Sequence, residues 1–283
     1  MKSNFSLETF FENKVVAITG GGGIICSTLC EAYGKSGAFV CILERNAERA
    51  HELEQELLNK GYKVKAYVCD VLDEENIKEV HAQINKDFGK VNILVNGAGG
   101  NNPVATTDKE YASKDDLNSE YKSFFELDRK GIEFVFNLNF LGTLLVTKEL
   151  CKDMVENGGS VLNISSMNAF TPLTKIPAYS AAKASVSNFT EWLAVHFSKL
   201  NIRVNAIAPG FFVTAQNKSL LFNPDGTPSA RAKKIINSTP MERFGEIDEL
   251  IGASLFLTND KLASFITGVI LPIDGGFNSY SGV

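Results

Sequence analysis

VVAITGGGGIICSTLCEAYGKSGAFVCILE, residues 15 to 44, reads as one strand–helix–strand unit. Val15 to Thr19 is a β-rich apolar run, four glycines follow at 20 to 23, a helix is predicted from about Ile25 to Lys35, and FVCIL at 39 to 43 is a second strand. Both strands are almost continuously apolar, as strands covered on both faces must be. Glycines between a strand end and a helix start permit a tight turn and bring unbonded helix amides to the carboxyl edge of a sheet, where a phosphate can be held. A plain turn does not need four in a row. Glu44 closes the second strand, where a carboxylate can accept hydrogen bonds from both hydroxyls of an adenosine ribose. The unit therefore reads as a dinucleotide site, and the acid points to NAD. Arg45 keeps NADP open, because a guanidinium can pair with a 2′-phosphate.

The same rhythm continues outward. Strands are predicted at 63 to 68 (KVKAYV), 92 to 96 (NILVN), 160 to 165 (SVLNIS), 202 to 208 (IRVNAIA) and 268 to 273 (GVILPI), with helical segments between them. Seven strands alternating with helices predict a single α/β domain over residues 1 to 283, a Rossmann-type fold with a doubly wound, mostly parallel seven-stranded sheet. Two stretches break the rhythm: an Asn-, Asp-, Lys- and Ser-rich insertion at about 100–131, and a segment at about 210–245 that reads as a substrate lid. Both follow strand ends, where ligands bind in such sheets.

Composition narrows the partners. The chain is 44% hydrophobic, enough for a sizeable core, and its net charge of −5 comes without a basic tract, which argues against nucleic acid. The N-terminus has no apolar signal region, and no stretch is expected to reach the roughly 18 uncharged apolar residues of a membrane span. A cytoplasmic protein with a small-molecule partner is expected. Cys26, Cys30, Cys41, Cys69 and Cys151 lie in apolar segments and read as buried thiols; His51, His81 and His196 stand apart, so no metal site is expected.

Chemistry enters at VLNISSMNAFTPLTKIPAYSAAKAS, residues 161 to 185. Tyr179 and Lys183 are four apart on a predicted helix and share a face, and Ser166 sits at a strand end thirteen residues before the tyrosine. A phenol is a poor base at neutral pH, and a neighbouring ammonium would favour its ionised form. Lys183 is expected to lower the pKa of Tyr179 in this way.

With these motifs the chain resembles the short-chain dehydrogenase/reductase family from roughly Lys14 to Phe277. TGGGG (19 to 23) is similar to the family's cofactor loop, which implies cofactor contacts from Gly20, Gly22, Gly23 and Ile25 beside those of Glu44 and Arg45. CDV (69 to 71) is similar to its adenine contact, implying Asp70 and Val71, and NGAGG (96 to 100) to its strand-four motif, implying Asn96 and Ala98. IRVNAIAPGFFVT (202 to 214) is similar to the strand and loop that hold the nicotinamide, implying Pro209, Gly210, Phe212 and Thr214. NFLG (139 to 142) and YSAAK (179 to 183) complete the resemblance. It implies a catalytic set of Asn139, Ser166, Tyr179 and Lys183, with Tyr179 and Lys183 also touching cofactor and Asn139 placing a water that links Lys183 to solvent. The family loop usually reads TGxxxGxG; here Ile24 and Cys26 stand where its later glycines would be, which implies a slightly shifted helix or cofactor.

A narrower resemblance is to the D-mannonate oxidoreductase, or fructuronate reductase, branch, carried by NGAGGNNPVATTD (96 to 108), FNLNFLGTLL (136 to 145), SSMNAFTPLTKIPAYSAAK (165 to 183), PGFFVTAQN (209 to 217) and TPMERFGE (239 to 246). It implies NAD(P)-dependent reduction of a sugar-acid ketone. Asn101, Asn102, Asn168, Gln216 and Asn217 would supply amides to the hydroxyls of such a substrate, and Lys175 would meet its carboxylate, with Lys218 and Arg231 as alternatives. Another polyol, a keto-steroid or an acyl ketone remains open as substrate, as does a non-catalytic nucleotide-binding role on the same scaffold. The C-terminal stretch ITGVILPIDGGFNSYSGV (266 to 283) is similar to the part of the family that packs between subunits, implying a homotetramer.

Overall fold

All seven apolar runs form strands: β1 (Val15–Thr19), β2 (Phe39–Glu44), β3 (Lys63–Val68), β4 (Ile93–Asn96), β5 (Gly159–Ile164), β6 (Ile202–Pro209) and β7 (Ile270–Ile273). The structure is a computed structural model and describes residues 10–214 and 217–282. Every strand pairing in the sheet is parallel, and the order is β3-β2-β1-β4-β5-β6-β7. The chain winds outward one way from β1 and the other way from β4. The loops after these two adjacent strands therefore part and leave a crevice at the carboxyl edge, where a dinucleotide binds in such sheets.

All five residues of β1 and all eight of β6 are buried, as their uninterrupted apolar sequence predicts. One face of the sheet carries Leu94, Val161 and Val204 against the helix α3 (Glu74–Asp87); the other carries Ile18, Ile42 and Val95 against α1 (Ile24–Lys35). Ile18, Leu29 and Ile42 are fully buried, each worth about 1.5–3 kcal/mol relative to exposure. Helix ends are closed by side chains that the sequence supplies locally. Asn46 caps α2 (Ala47–Asn59), and Asp73 caps α3 ahead of Glu74 and Glu75, where acids also suit the helix dipole. Arg203 on β6 closes the far end of α9 (Glu249–Thr258), donating to the Leu257 carbonyl at 2.6 Å and the Thr258 carbonyl at 3.1 Å.

After β4 the insertion runs through short 3-10 turns at Pro103–Ala105, Lys114–Asn118 and Phe124–Glu126. It is ordered by capping boxes, Ser113 with Asp116 and Ser123 with Glu126, more than by a core of its own. It ends in α4 (Arg129–Phe136), a π-helical turn (Asn137–Leu141) and α5 (Gly142–Leu150). The helical run Arg129–Met154 is long and apolar enough to cross a membrane by length and composition, which the sequence reading did not expect; 56% of its most apolar window is buried against the rest of the protein. His51 lies 3.5 Å from Glu54 and His196 stacks on Trp192, but a third histidine is held more tightly. His81 on α3 lies between Glu149 (3.1 Å) and Asp153 (2.8 Å), joining α3 to the end of α5 in a buried cluster. The spacing hid this because its partners are 68 and 72 residues away. The cysteines are free and buried, as expected.

Candidate active site

The glycine turn after β1 is dictated by crowding. Gly20 has φ +63°, and a Cβ there would lie 2.9 Å from the Ala98 Cα in the loop after β4. Thr19 ties the same loops together, its hydroxyl accepting the N–H groups of Gly97 at 3.0 Å and Ala98 at 3.1 Å. Between them opens a cleft of about 400 Å³. Of the residues expected to touch cofactor, Gly20, Gly23, Ile25, Glu44 and Arg45 line it, and so do Asp70, Val71, Ala98 and Thr214.

Glu44 is held in place. Its Oε1 accepts the Asn46 N–H at 2.9 Å and its Oε2 the Gly22 N–H at 3.2 Å. Gly22 therefore acts on the cleft through Glu44, without lining it. The cleft also takes in Arg49, Leu72, Phe134 and Leu138, which the sequence reading missed. Leu138 was findable as the neighbour of Asn139 and Arg49 as a first-turn residue of the helix after Glu44; Phe134 and Leu72 carried no signal.

Besides Gly22, six expected contacts do not line the cleft: Tyr179 and Lys183, on a later helix, and four others. Asn96 is buried at the end of β4, its amide donating to Thr147 and Asn163 at 2.9 Å each, so it braces α5 and β5 and does not line the cleft. The Phe212 ring lies in the apolar core against Gly245, where an added Cβ would meet it at 2.4 Å. Gly210 is required by β7, since a side chain there would strike Asp274 at 2.7 Å. Pro209 ends β6, paired with Ile273. These three residues pack away from the cleft, leaving Thr214 as the residue of this segment that lines it.

Ser166 ends the β5 connection, and Tyr179 and Lys183 lie on one face of α6 (Pro177–His196), a helix that Pro177 opens at a position where proline costs no hydrogen bond. The Tyr179 ring packs with Ala105, Val135, Ala178 and Ala182. Burial raises its pKa above the ordinary 10, and a hydrogen bond from Ser166 opposes that rise. Lys183 is 4% exposed, donates to the Ile164 carbonyl at 2.8 Å and stands 5.7 Å from the Tyr179 ring centre. Burial lowers its own pKa to about 8. The expectation that Lys183 pulls the phenol down is thus corrected: desolvation dominates at both groups, and Ser166 is what draws the phenol down.

Asn139 sits on the π-helical turn. Its amide donates to the carbonyls of Gly100 and Val135, both at 2.7 Å, and accepts the Gly100 N–H at 3.1 Å. A Cβ on Gly99 would lie 2.6 Å from Asn139 Oδ1 and 3.1 Å from Lys183 Nζ, so the three residues share one layer beside the cleft. With its amide spent on the loop, Asn139 could hold a water through its backbone carbonyl, which also accepts from the Thr143 hydroxyl at 2.8 Å.

The expected substrate residues divide. Asn168 is buried next to Ser166, and its Oδ1 has no protein partner. Asn217 is spent within the lid, accepting from the Thr214 N–H and donating to the Phe212 carbonyl. Asn101 bonds Thr106, and Asn102 caps the first insertion turn. Lys175 donates to the Asp108 carbonyl at 2.6 Å, with two N–H groups left. Lys218 and Arg231 are exposed on α7 (Lys218–Leu221) and α8 (Ala230–Asn237). Gln216 lies outside the described residues.

Comparison with known proteins shows the family and the fold. The sequence profile described as short chain dehydrogenase matches residues 14–224. An uncharacterized oxidoreductase of Haemophilus influenzae is 56% identical over 281 residues, 99% of this chain and 98% of its own. A crystal structure of a candidate D-mannonate oxidoreductase from the same species with bound NAD superposes with a TM-score of 0.93 at 56% identity, covering 96% of this chain and 97% of that one. A gluconate 5-dehydrogenase from Burkholderia cenocepacia in complex with NADP and tartrate superposes with a TM-score of 0.81 at 26% identity, covering 97% and 99%.

Proposed function

The chain belongs to the short chain dehydrogenase family, and on that premise we propose that this NAD(P)-dependent oxidoreductase interconverts the ketone and secondary alcohol of a sugar acid, D-fructuronate and D-mannonate. The observation that carries the substrate is the likeness, over nearly the full length of both chains, to the NAD-bound candidate D-mannonate oxidoreductase. The tartrate-bound gluconate dehydrogenase adds support, as a dehydrogenase of the same fold named for a sugar acid.

The fit to a dinucleotide rests on the cleft itself. The glycine turn admits close backbone approach, α1 begins without a side-chain cap, and Glu44 lines the cleft at the end of β2, where it would accept from ribose hydroxyls. A reduced nicotinamide bound there would supply hydride to the substrate carbonyl. Tyr179 gives its phenolic proton to the developing alkoxide, while the Ser166 hydroxyl donates to the same oxygen; one such donor is commonly worth roughly 3 kcal/mol. Lys183 would hold the nicotinamide ribose and return a proton from solvent to Tyr179, by way of a water placed on the Asn139 backbone carbonyl. In oxidation the proton steps reverse. Asn168 offers its unpartnered carbonyl oxygen to a substrate hydroxyl.

The pKa directions predict opposite pH profiles. Tyr179 stays protonated through neutral pH, so reduction is not limited by its acid form; Lys183 loses its charge as pH rises through about 8, and kcat/KM for reduction should fall there. Oxidation needs the phenolate and should climb with pH. Profiles recorded in both directions check this, and a reduction rate that rises through pH 8 would reverse the assigned roles.

NAD(H) should be preferred over NADP(H). Two backbone amides fix Glu44, so a 2′-phosphate would meet a carboxylate that cannot swing away, and like charges set together cost several kcal/mol. Arg45 and Arg49 moderate that cost. Comparing kcat/KM for the two cofactors decides it, and Glu44→Gln should narrow the ratio by roughly tenfold or more. We place the protein in the cytoplasm as a homotetramer; exposed Trp192 and Val195 on α6 and the fully exposed Phe265 favour self-association. NADH oxidation with a panel of keto acids, ketoses and keto-steroids tests the substrate assignment.

A further inference from the structure

The first turn of α1 carries Cys26 on the cleft wall, 3% exposed. Across from it Gly97 leaves β4, and a Cβ on Gly97 would fall 2.0 Å from the Cys26 sulfur. Two side chains cannot share that volume. Close-packed interiors transmit such a conflict to the backbone, so what stands at 26 and 97 together determines how near α1 lies to β4.

We propose that Cys26 and Gly97 form a steric pair that sets the gap between α1 and the end of β4, making Cys26 a positioning residue for the cofactor's diphosphate. The backbone N–H of Cys26 belongs to the helix's first turn, and α1 has Gly23 at its N-cap, with no side-chain cap, whereas Asn46 and Asp73 cap α2 and α3. These first-turn amides are the donors a diphosphate would use, and they move with the side chain that packs against Gly97. Gly97 is held from the other side by Thr19, so the gap closes or opens at the helix. The sulfur acts as a small apolar spacer. Burial pushes its thiol up to about 12, so this stretch of the cleft wall is uncharged at neutral pH. Cys26 thereby replaces a glycine without closing the site, because the matching glycine stands across the gap.

The test is direct titration of NADH by fluorescence, with melting temperature and steady-state kinetics alongside, and it does not depend on which carbonyl is reduced. Cys26→Ser, nearly the same size, should bind NADH like the parent. Cys26→Gly should weaken NADH roughly tenfold, short of the hundredfold that an ångström of misplacement can cost, with kcat at saturating NADH nearly kept. The double variant Cys26→Gly with Gly97→Ala puts a methyl into the vacated volume. It should recover most of the NADH affinity, although Thr19's carbonyl, 2.9 Å from the new methyl, must give slightly. Should Cys26→Gly fail to fold, Cys26→Val crowds the same gap and should weaken NADH while sparing kcat. Parent-like NADH binding by Cys26→Gly or Cys26→Val, or a double variant no tighter than Cys26→Gly, overturns the pairing, as does a loss confined to melting temperature.

Discussion

Tyr179→Phe should lower kcat by about a thousandfold in both directions while leaving NADH affinity within a few-fold of the parent, the loss general acid–base groups commonly account for. The phenyl ring keeps its packing with Ala105, Val135, Ala178 and Ala182, so the fold has no reason to suffer. What disappears is the phenolic hydroxyl, its transferable proton together with the oxygen that accepts from Ser166. NADH titration, melting temperature and turnover on the same preparation separate these effects. A variant that keeps a tenth of parental turnover would show that another group donates the proton.

D-Fructuronate should be reduced far more efficiently than D-fructose. The two differ at one end, a carboxylate against a hydroxymethyl group. A site that holds a cation for that carboxylate leaves it unpaired when the carboxylate is missing, a loss of roughly 2 to 5 kcal/mol in kcat/KM. We propose Lys175 as the anchor. Its ammonium is already drawn to the insertion through the Asp108 carbonyl, and Thr107 donates back to the Lys175 carbonyl, so the position of the charge is fixed by two bonds to one loop. Lys175→Met should erase most of the preference. A preference unchanged in that variant moves the anchor to Lys218 or Arg231, and equal efficiency with the two sugars removes the uronate from the assignment altogether.

Most strands were legible as apolar runs bounded by turns, which a strand covered on both faces shows without reference to its neighbours, whereas the edge strand β3 alternates exposed and buried positions. Observed ends fall within two residues of those predicted. The cleft was legible where the backbone itself makes it, at Gly20, Gly23 and Glu44. What the sequence hid is where side chains turn. Asn96, Phe212 and Asn217 stand next to cleft-lining residues or in the same segment as one, yet their side chains brace the sheet, fill the core and fold the lid, since a side chain's direction follows from packing across the sheet. The same blindness applies to electrostatics. Tyr179 and Lys183 four residues apart suggested an ammonium lowering a phenol, but burial acts on both groups, and its size depends on the insertion and helices that cover them. The π-helical turn that aims Asn139 at Gly100 has no sequence signature of its own.

The most direct test of the account is a stoichiometric assay of the parent enzyme with NADH and D-fructuronate, following cofactor absorbance and identifying the sugar-acid product. The account predicts one D-mannonate formed per NADH consumed, and the reverse conversion with NAD at higher pH. No NADH consumption with D-fructuronate, under conditions where the same preparation reduces a different carbonyl, would contradict it.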